Sequence, residues 1–303
     1  MTQPETTSTS DFSLHPNVGV GAVTLTVANL ENQIRFYQEA LGFKLLSQAG
    51  NNAALGSDSN ELLHLIEEPN LKKYRNVTGL YHFAILFPNR KELALAIARL
   101  FAMKYRNHPT DHIMTKTTYL DDPEGNGIEL YAESPEDGTF TMKDGKFETR
   151  RTDGSWSDGR EPLDVDALFS LLKENEDLSV PVPPETHMGH VHLHIRDVDE
   201  AVDFYHGVIG FDIMGIAKEF QAAFVSAGGY HHHLGLNTWQ GAGAPPPPAG
   251  AVGLRYFTVE FPNQQSMDDV IARIQKAGIS YNKTEDGVLL YDPSQNGVML
   301  KLR

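Results

Sequence analysis

Apolar Val23, Leu25 and Val27 alternate with Thr24 and Thr26, which predicts a strand with one face buried and the other polar. The period then changes. From Leu30 to Leu41 the apolar positions recur at helical spacing, and Gly42 stands where a helix C-terminus favours glycine. Short strands are predicted next over Phe43–Ser47, Ala53–Leu55 and Glu61–Glu67, so the first unit reads βαβββ.

The same pattern returns. GAVTLTVANLENQIRFYQEALGF (21–43) aligns without a gap on GHVHLHIRDVDEAVDFYHGVIGF (189–211). GLYHFAILFP (79–88) aligns on GLRYFTVEFP (253–262), and DDPEGNGIEL (121–130) on YDPSQNGVML (291–300). Because internal repeats set the fold before local propensity does, the chain is read as a tandem duplication, each half made of two smaller units. The third unit is expected to carry a helix over Val198–Ile209 and strands over Phe211–Ile216, Ala222–Ser226 and His231–Asn237. Units two and four run from Gly79 to Tyr131 and from Gly253 to Arg303. The predicted class is α+β, with four βαβββ modules in two tandem halves.

The expected organisation is a flexible N-terminus (1–17), a two-module half (18–132), a polar excursion with a short helix (133–186) and a second two-module half (187–303). Within the excursion TMKDGKFETRRTDGSWSDGRE reads as hairpin-like or loose, LDVDALFSLLKE as the helix and VPVPPETH as an extended linker, while APPPPAG (244–250) is a rigid spacer between units three and four.

Composition narrows the chemistry. Lys and Arg number 25 against 40 Asp and Glu, a formal net charge of −15, which supplies no basic surface for a phosphate backbone. There is no cysteine among the 303 residues, so disulfides, thiolate metal sites and Cys nucleophiles are excluded. No apolar run is long enough to span a membrane, and the polar start MTQPETTSTSD lacks the basic region of a secretory signal; a soluble, cytoplasmic protein is expected.

Histidine is the informative residue, with 13 in the chain. At matching first-strand positions of modules one to four stand Ala22, His82, His190 and Tyr256; in the last strand module two carries Glu129 where module four carries Met299. Neither half holds a complete ligand set. If modules two and three face each other, His82, His190 and Glu129 converge as two imidazoles and one carboxylate, the facial set suited to non-haem Fe(II). A lone strand histidine is ordinarily a core or surface residue, but matched repeat positions with apolar or aromatic residues in the unused slots favour a metal centre. His192 and His194 share a strand face with His190 and suit supporting roles, while Met103 and Met114 are expected in the core.

The fourfold pattern, the helix ends FYQEALGF and FYHGVIGF and the DPEGNGIEL element resemble the vicinal oxygen chelate superfamily. More narrowly, GLYHFAILFP, GHVHLH and SAGGYHHHLGLN look like type I extradiol ring-cleaving dioxygenases with four modules, of the catechol 2,3-dioxygenase kind. The resemblance runs from about Val18 to Leu302, outside the central excursion. Better-known members take all three ligands from the C-terminal half; Tyr256 and Met299 depart from that, whereas hydroquinone-cleaving relatives draw ligands from modules in different halves. The resemblance implies Fe(II), with Mn(II) as alternative, and conversion of catechol and O2 to 2-hydroxymuconic semialdehyde. It implies further that His232 shuttles a proton (His233 being the alternate choice), that Tyr119, ten residues before Glu129, holds the substrate oxygen, and that His112 contacts substrate or product. Strand alternation would turn His231 and His233 away from the face that His232 occupies. A small aromatic diol and O2 are the expected partners, within a homo-oligomer. Alternatives on the same fold are a hydroquinone-cleaving dioxygenase, a glyoxalase-type lyase, whose fourth ligand position falls here in the HHH strand without a carboxylate, and a non-catalytic small-molecule binding protein.

Overall fold

The computed structural model describes residues 12–68, 70–143 and 146–303. Module one comprises β1 (Gly19–Val27), α1 (Leu30–Glu39), β2 (Lys44–Ala49), β3 (Asn52–Gly56) and β4 (Glu61–Glu67). Module two comprises β5 (Gly79–Leu86), α2 (Arg90–Ala102), β6 (His108–Asp111), β7 (Thr115–Asp121) and β8 (Gly127–Glu133). The excursion holds β9 (Gly138–Lys143), β10 (Lys146–Arg151), β11 (Trp156–Ser157), β12 (Glu161–Pro162) and α3 (Val165–Phe169). Module three has β13 (His187–His194), α4 (Val198–Val202, continued as a wider π-type turn over Asp203–Ile209), β14 (Asp212–Ala217), β15 (Ala222–Ser226) and β16 (Leu234–Asn237). Module four has β17 (Gly253–Phe261), α5 (Gln264–Lys276), β18 (Tyr281–Lys283), β19 (Val288–Tyr291) and β20 (Gly297–Leu302). The four βαβββ modules expected from the repeat are present.

The modules combine across the halves. An eight-stranded sheet joins modules one and four through the antiparallel pair β1–β17, and a nine-stranded sheet joins modules two and three through β5–β13. Among the described residues, neither 18–132 nor 187–303 builds a sheet of its own. What ties modules within one half is a repeated Tyr–Asp contact: Tyr37 on α1 donates to Asp122 at 2.9 Å, and Tyr205 donates to Asp292 at 3.0 Å. Each aspartate belongs to a DPxxN turn, where its other oxygen accepts from the backbone N–H of Asn126 or Asn296. The motif is thus a buried turn that docks a helix of the preceding module.

Three expectations need correction. The excursion, expected as hairpin-like or loose, is hairpin-like and carries more strands than that reading gave: β9, β10 and β11 form a three-stranded sheet and β12 extends the nine-stranded one. Its start is set too early by one residue, since Glu133 closes β8. Residues 1–11 of the expected flexible N-terminus lie outside the described part, but within 12–17 Phe12 and Leu14 pack on the core, and the Leu14 N–H donates to Gly210 O at 2.8 Å. Met103, expected in the core, caps the C-terminus of α2 and is exposed, because the helix ends there and its apolar face has already turned inward at Leu100. No helix among the described residues is long and apolar enough to cross a membrane.

Candidate metal centre

β5 and β13 are central strands, so their side chains alternate between the packed outer layer and the concave inner face. On β13 the concave face carries His190, His192 and His194, all buried; on β5 it carries His82. The antiparallel register sets His192 opposite His82 and His190 opposite Ala84, whose small side chain leaves room between the imidazoles. The parallel pair β5–β8 then brings Glu129 alongside Ala84. Three donors on three adjacent strands therefore meet.

They meet closely. His82 Nε2 and His190 Nε2 are 3.3 Å apart, and Glu129 Oε2 lies 3.1 Å from the first and 3.0 Å from the second. All three residues are buried. An octahedral ion with bonds of about 2.1 Å sets neighbouring donors about 3 Å apart, so the triangle matches one face of such a shell. Both Nε2 atoms face one another as well as the carboxylate, an arrangement that a cation at their common centre satisfies. Burial would raise the Glu129 carboxyl, but the adjacent His190 and His82 imidazoles hold it well below its usual range. Desolvation lowers His190 to about 4, against an opposing pull from Glu129. Glu129 is then a carboxylate and His190 a neutral imidazole, the forms that ligate metals.

Around the triangle, Thr117 Oγ donates to Glu129 Oε1 at 2.9 Å and fixes the carboxylate plane. Tyr119, facing Glu129 across β7–β8, is bonded to His112 at 2.8 Å between Oη and Nε2. His112 Nδ1 is in turn held by the Gly159 carbonyl of the excursion. A carbonyl only accepts, so His112 donates from Nδ1 and its Nε2 accepts the hydrogen bond of the Tyr119 hydroxyl. Burial and the nearby Glu129 charge raise the Tyr119 phenol well above its ordinary value, keeping it protonated.

The triple histidine departs from expectation. β16 starts at Leu234, and His231–His233 occupy the bend before it, so strand alternation does not govern them. Two adjacent rings lie on the site side: His232 is 4.2 Å from the His190 ring and His231 is 6.0 Å from it, by centroids. His233 turns away and bonds Ser226 Oγ at 2.9 Å. Desolvation, then the neighbouring His190 and His231, lowers His232 well below its usual value. His192 lies flat on Gly235, where a Cβ would sit 2.7 Å from the ring, and its Nε2 is buried without a hydrogen-bond partner.

The sequence profile of the Glyoxalase/Bleomycin resistance protein/Dioxygenase superfamily matches residues 19–130 and 187–299. The chain belongs to this superfamily. A catechol-2,3-dioxygenase of Bacillus subtilis (strain 168) is 40% identical over 284 residues, covering 93% of this chain and 96% of the relative. Among solved structures, glyoxalase I from Zea mays superposes with TM-score 0.54 at 15% identity, covering 94% of this chain and 92% of that one. The cppA protein of Streptococcus pneumoniae TIGR4 superposes with TM-score 0.53 at 15% identity, over 95% of this chain and all of that one. These two show the fold alone. The whole-chain kinship with the Bacillus protein makes the chain a dioxygenase-type enzyme of the superfamily.

Register also identifies the last-strand slot in every module of this superfamily member. Glu129 pairs with Ala84, Met299 with Thr258, His64 with Thr24 and Gly235 with His192. The fourth slot facing the candidate centre is therefore Gly235, not a residue of the HHH run. It supplies no ligand, and the His192 ring occupies the space. Sequence reasoning missed Glu133, Tyr131 and Tyr230, which surround His231. Tyr230 Oη donates to Glu133 Oε1 at 2.8 Å and also contacts Tyr131 Oη. The available signal was Glu133 lying four residues after Glu129 on one strand, an even spacing that keeps both on the same face.

Proposed function

We propose that the enzyme is an Fe(II)-dependent extradiol dioxygenase that opens catechol, or a simple substituted catechol, next to its two hydroxyls to give 2-hydroxymuconic semialdehyde. The observation that carries the reading is the buried triangle of His82 Nε2, His190 Nε2 and Glu129 Oε2, a two-histidine, one-carboxylate set with the rest of the coordination sphere left to substrates. The kinship with a catechol-2,3-dioxygenase supports it. Mn(II) suits the same donors.

Bound Fe(II) supplies Lewis acidity and the electron relay that lets dioxygen react with an aromatic diol. His82, His190 and Glu129 would hold it. The chain's own groups do the rest. Tyr119 and His112 form one polar edge, in which His112 orients the Tyr119 phenol toward the diol oxygens. His232, beside the His190 ring, takes and returns the substrate proton. Phe224, 5.1 Å from His232, and Trp239, 5.5 Å from His192, line an aromatic wall against which a ring substrate packs. The glyoxalase-type alternative lacks support because Gly235 occupies the slot for a fourth ligand. Drawing ligands from both halves favours hydroquinones as a second substrate class. We extend the proposal to a cytoplasmic homo-oligomer acting on a small aromatic diol and O2.

The test is anaerobic loading with Fe(II), followed by catechol and air. A yellow ring-fission product is expected. Stoichiometric iron with no colour from catechol, but consumption of a hydroquinone, would move the reading to the second class; no retained metal would overturn both.

A further inference from the structure

A hydrogen-bonded line leaves the candidate centre toward the surface. Glu133, at the end of β8, is partly exposed and accepts from His231 Nε2 at 3.1 Å. His231 Nδ1 is 2.8 Å from His232 Nδ1. His232 then lies against the His190 ring. Tyr230 anchors the carboxylate from the other side, itself bonded to Tyr131. Tyr131 fits there because Gly189 has no side chain: a Cβ would stand 1.8 Å from the phenol oxygen.

Donor and acceptor roles follow in sequence. A carboxylate only accepts, so His231 carries its proton on Nε2. In its neutral form His231 then presents a lone pair on Nδ1. The partner nitrogen of His232 must donate, which puts the His232 proton on Nδ1 and leaves Nε2 with a free lone pair. We propose that Glu133, acting through His231, fixes His232 in the tautomer with an unprotonated Nε2, making Glu133 and His231 positioning residues for proton transfer at this site.

The logic is that of a carboxylate orienting a catalytic imidazole, extended by one ring. When His232 Nε2 accepts a proton from a diol hydroxyl, the O–H bond breaks, its electron pair stays on oxygen, and the imidazolium formed is stabilised through His231 by the Glu133 charge. The partly exposed carboxylate also gives the line an outlet to water. Burial would raise Glu133, yet its bond from His231 holds it below the usual carboxylate range, so it stays charged. The use of the lone pair in turnover rests on the dioxygenase reading; the tautomer does not.

Two measurements separate them. In protein labelled with 15N-histidine and loaded with diamagnetic Zn(II), His231 should appear as the Nε2–H tautomer and His232 as Nδ1–H, assigned through His231→Phe and His232→Phe. Glu133→Gln should return a tautomer mixture at both. Finding His231 doubly protonated, or His232 as Nε2–H in the parent protein, overturns the proposal whatever the enzyme does. In the Fe(II) enzyme, Glu133→Gln should lower kcat for catechol by about 10–100-fold with KM nearly unchanged, and Glu133→Asp should recover part of it. The deficit should shrink with 4-nitrocatechol, whose acidic hydroxyl is already ionised and whose bound ionisation state can be read anaerobically from its colour. An equal loss with both substrates would reduce Glu133 to a structural role and overturn its part in proton transfer. Correct tautomers with no diol cleavage by the parent protein would instead defeat the dioxygenase reading.

Discussion

His192 of β13 stands directly opposite His82 of β5 in the antiparallel pair that joins the two halves. The contact ranks the two residues by role: His82 points its Nε2 at Glu129, while His192 fills the space over Gly235. One register therefore assembles the donor triangle and blocks the fourth slot. A slip of one residue would turn every imidazole on β13 to the opposite face.

The location of the centre can be checked by ligand removal. His82→Ala, Glu129→Ala and His190→Ala should each lose stoichiometric Fe(II), measured on anaerobically loaded and desalted protein, and lower activity by more than about 100-fold. Tyr256→Phe and Met299→Leu, at the matching slots of the other sheet, should retain metal and activity. Metal loss from the second pair alone would place the centre in the wrong sheet.

Metal removal should be visible as stability. A ligand present at 100 times its Kd adds about 2.7 kcal/mol to the folded state, which for a chain of this size is a rise of several degrees in Tm. Divalent metal should raise Tm in the parent protein, EDTA should reverse it, and Glu129→Ala should show no response. A metal-induced rise that persists in Glu129→Ala would point to binding elsewhere.

Acid should destabilise the metal-free protein earlier than carboxylate titration alone predicts. Burial lowers His194 to about 4, against the bond that its Nδ1–H donates to Asn237 Oδ1, with Lys73 and His82 nearby; His233 is likewise lowered to about 4. Both folded values lie below the unfolded one near 6.5, so the unfolded chain binds protons that the folded chain refuses. Stability is then lost as pH falls from about 6.5 toward 4, by up to roughly 1.4 kcal/mol per pH unit for each group. Urea midpoints should fall between pH 7 and pH 5, and His194→Gln should flatten that slope. An unchanged slope would show that His194 titrates normally.

Gly189→Ala should displace Tyr131, because the added methyl cannot share space with the phenol oxygen. A cost of about 1–3 kcal/mol in denaturant unfolding is expected, the usual range for overpacking a tight interior. Gly207→Ala, where a Cβ meets nothing within 4 Å, is the control and should be near neutral.

The modules were legible because a strand and an amphipathic helix write different periods into a sequence, and a repeat writes them more than once. The candidate ligand types were legible for a related reason. With no cysteine, matched slots holding His82, His190 and Glu129 stand out against Ala22, Tyr256 and Met299. The bounds of β15, Ala222–Ser226, are legible in the sequence, while the expected His231 start puts β16 three residues early, since histidine has no propensity strong enough to mark a bend.

By itself, then, the sequence determined the four modules, the α+β class and the three donor types, all of which depend on local pattern and on comparison along the chain. Tertiary structure decided which modules share a sheet, that Gly235 rather than a histidine faces the centre, and that Glu133 reaches His232 through His231. Those facts depend on strand register between segments distant in the sequence and on where a bend aims three consecutive rings. Neither leaves a periodic trace, because pairing is fixed by the sum of buried contacts over a whole sheet and not by any one segment.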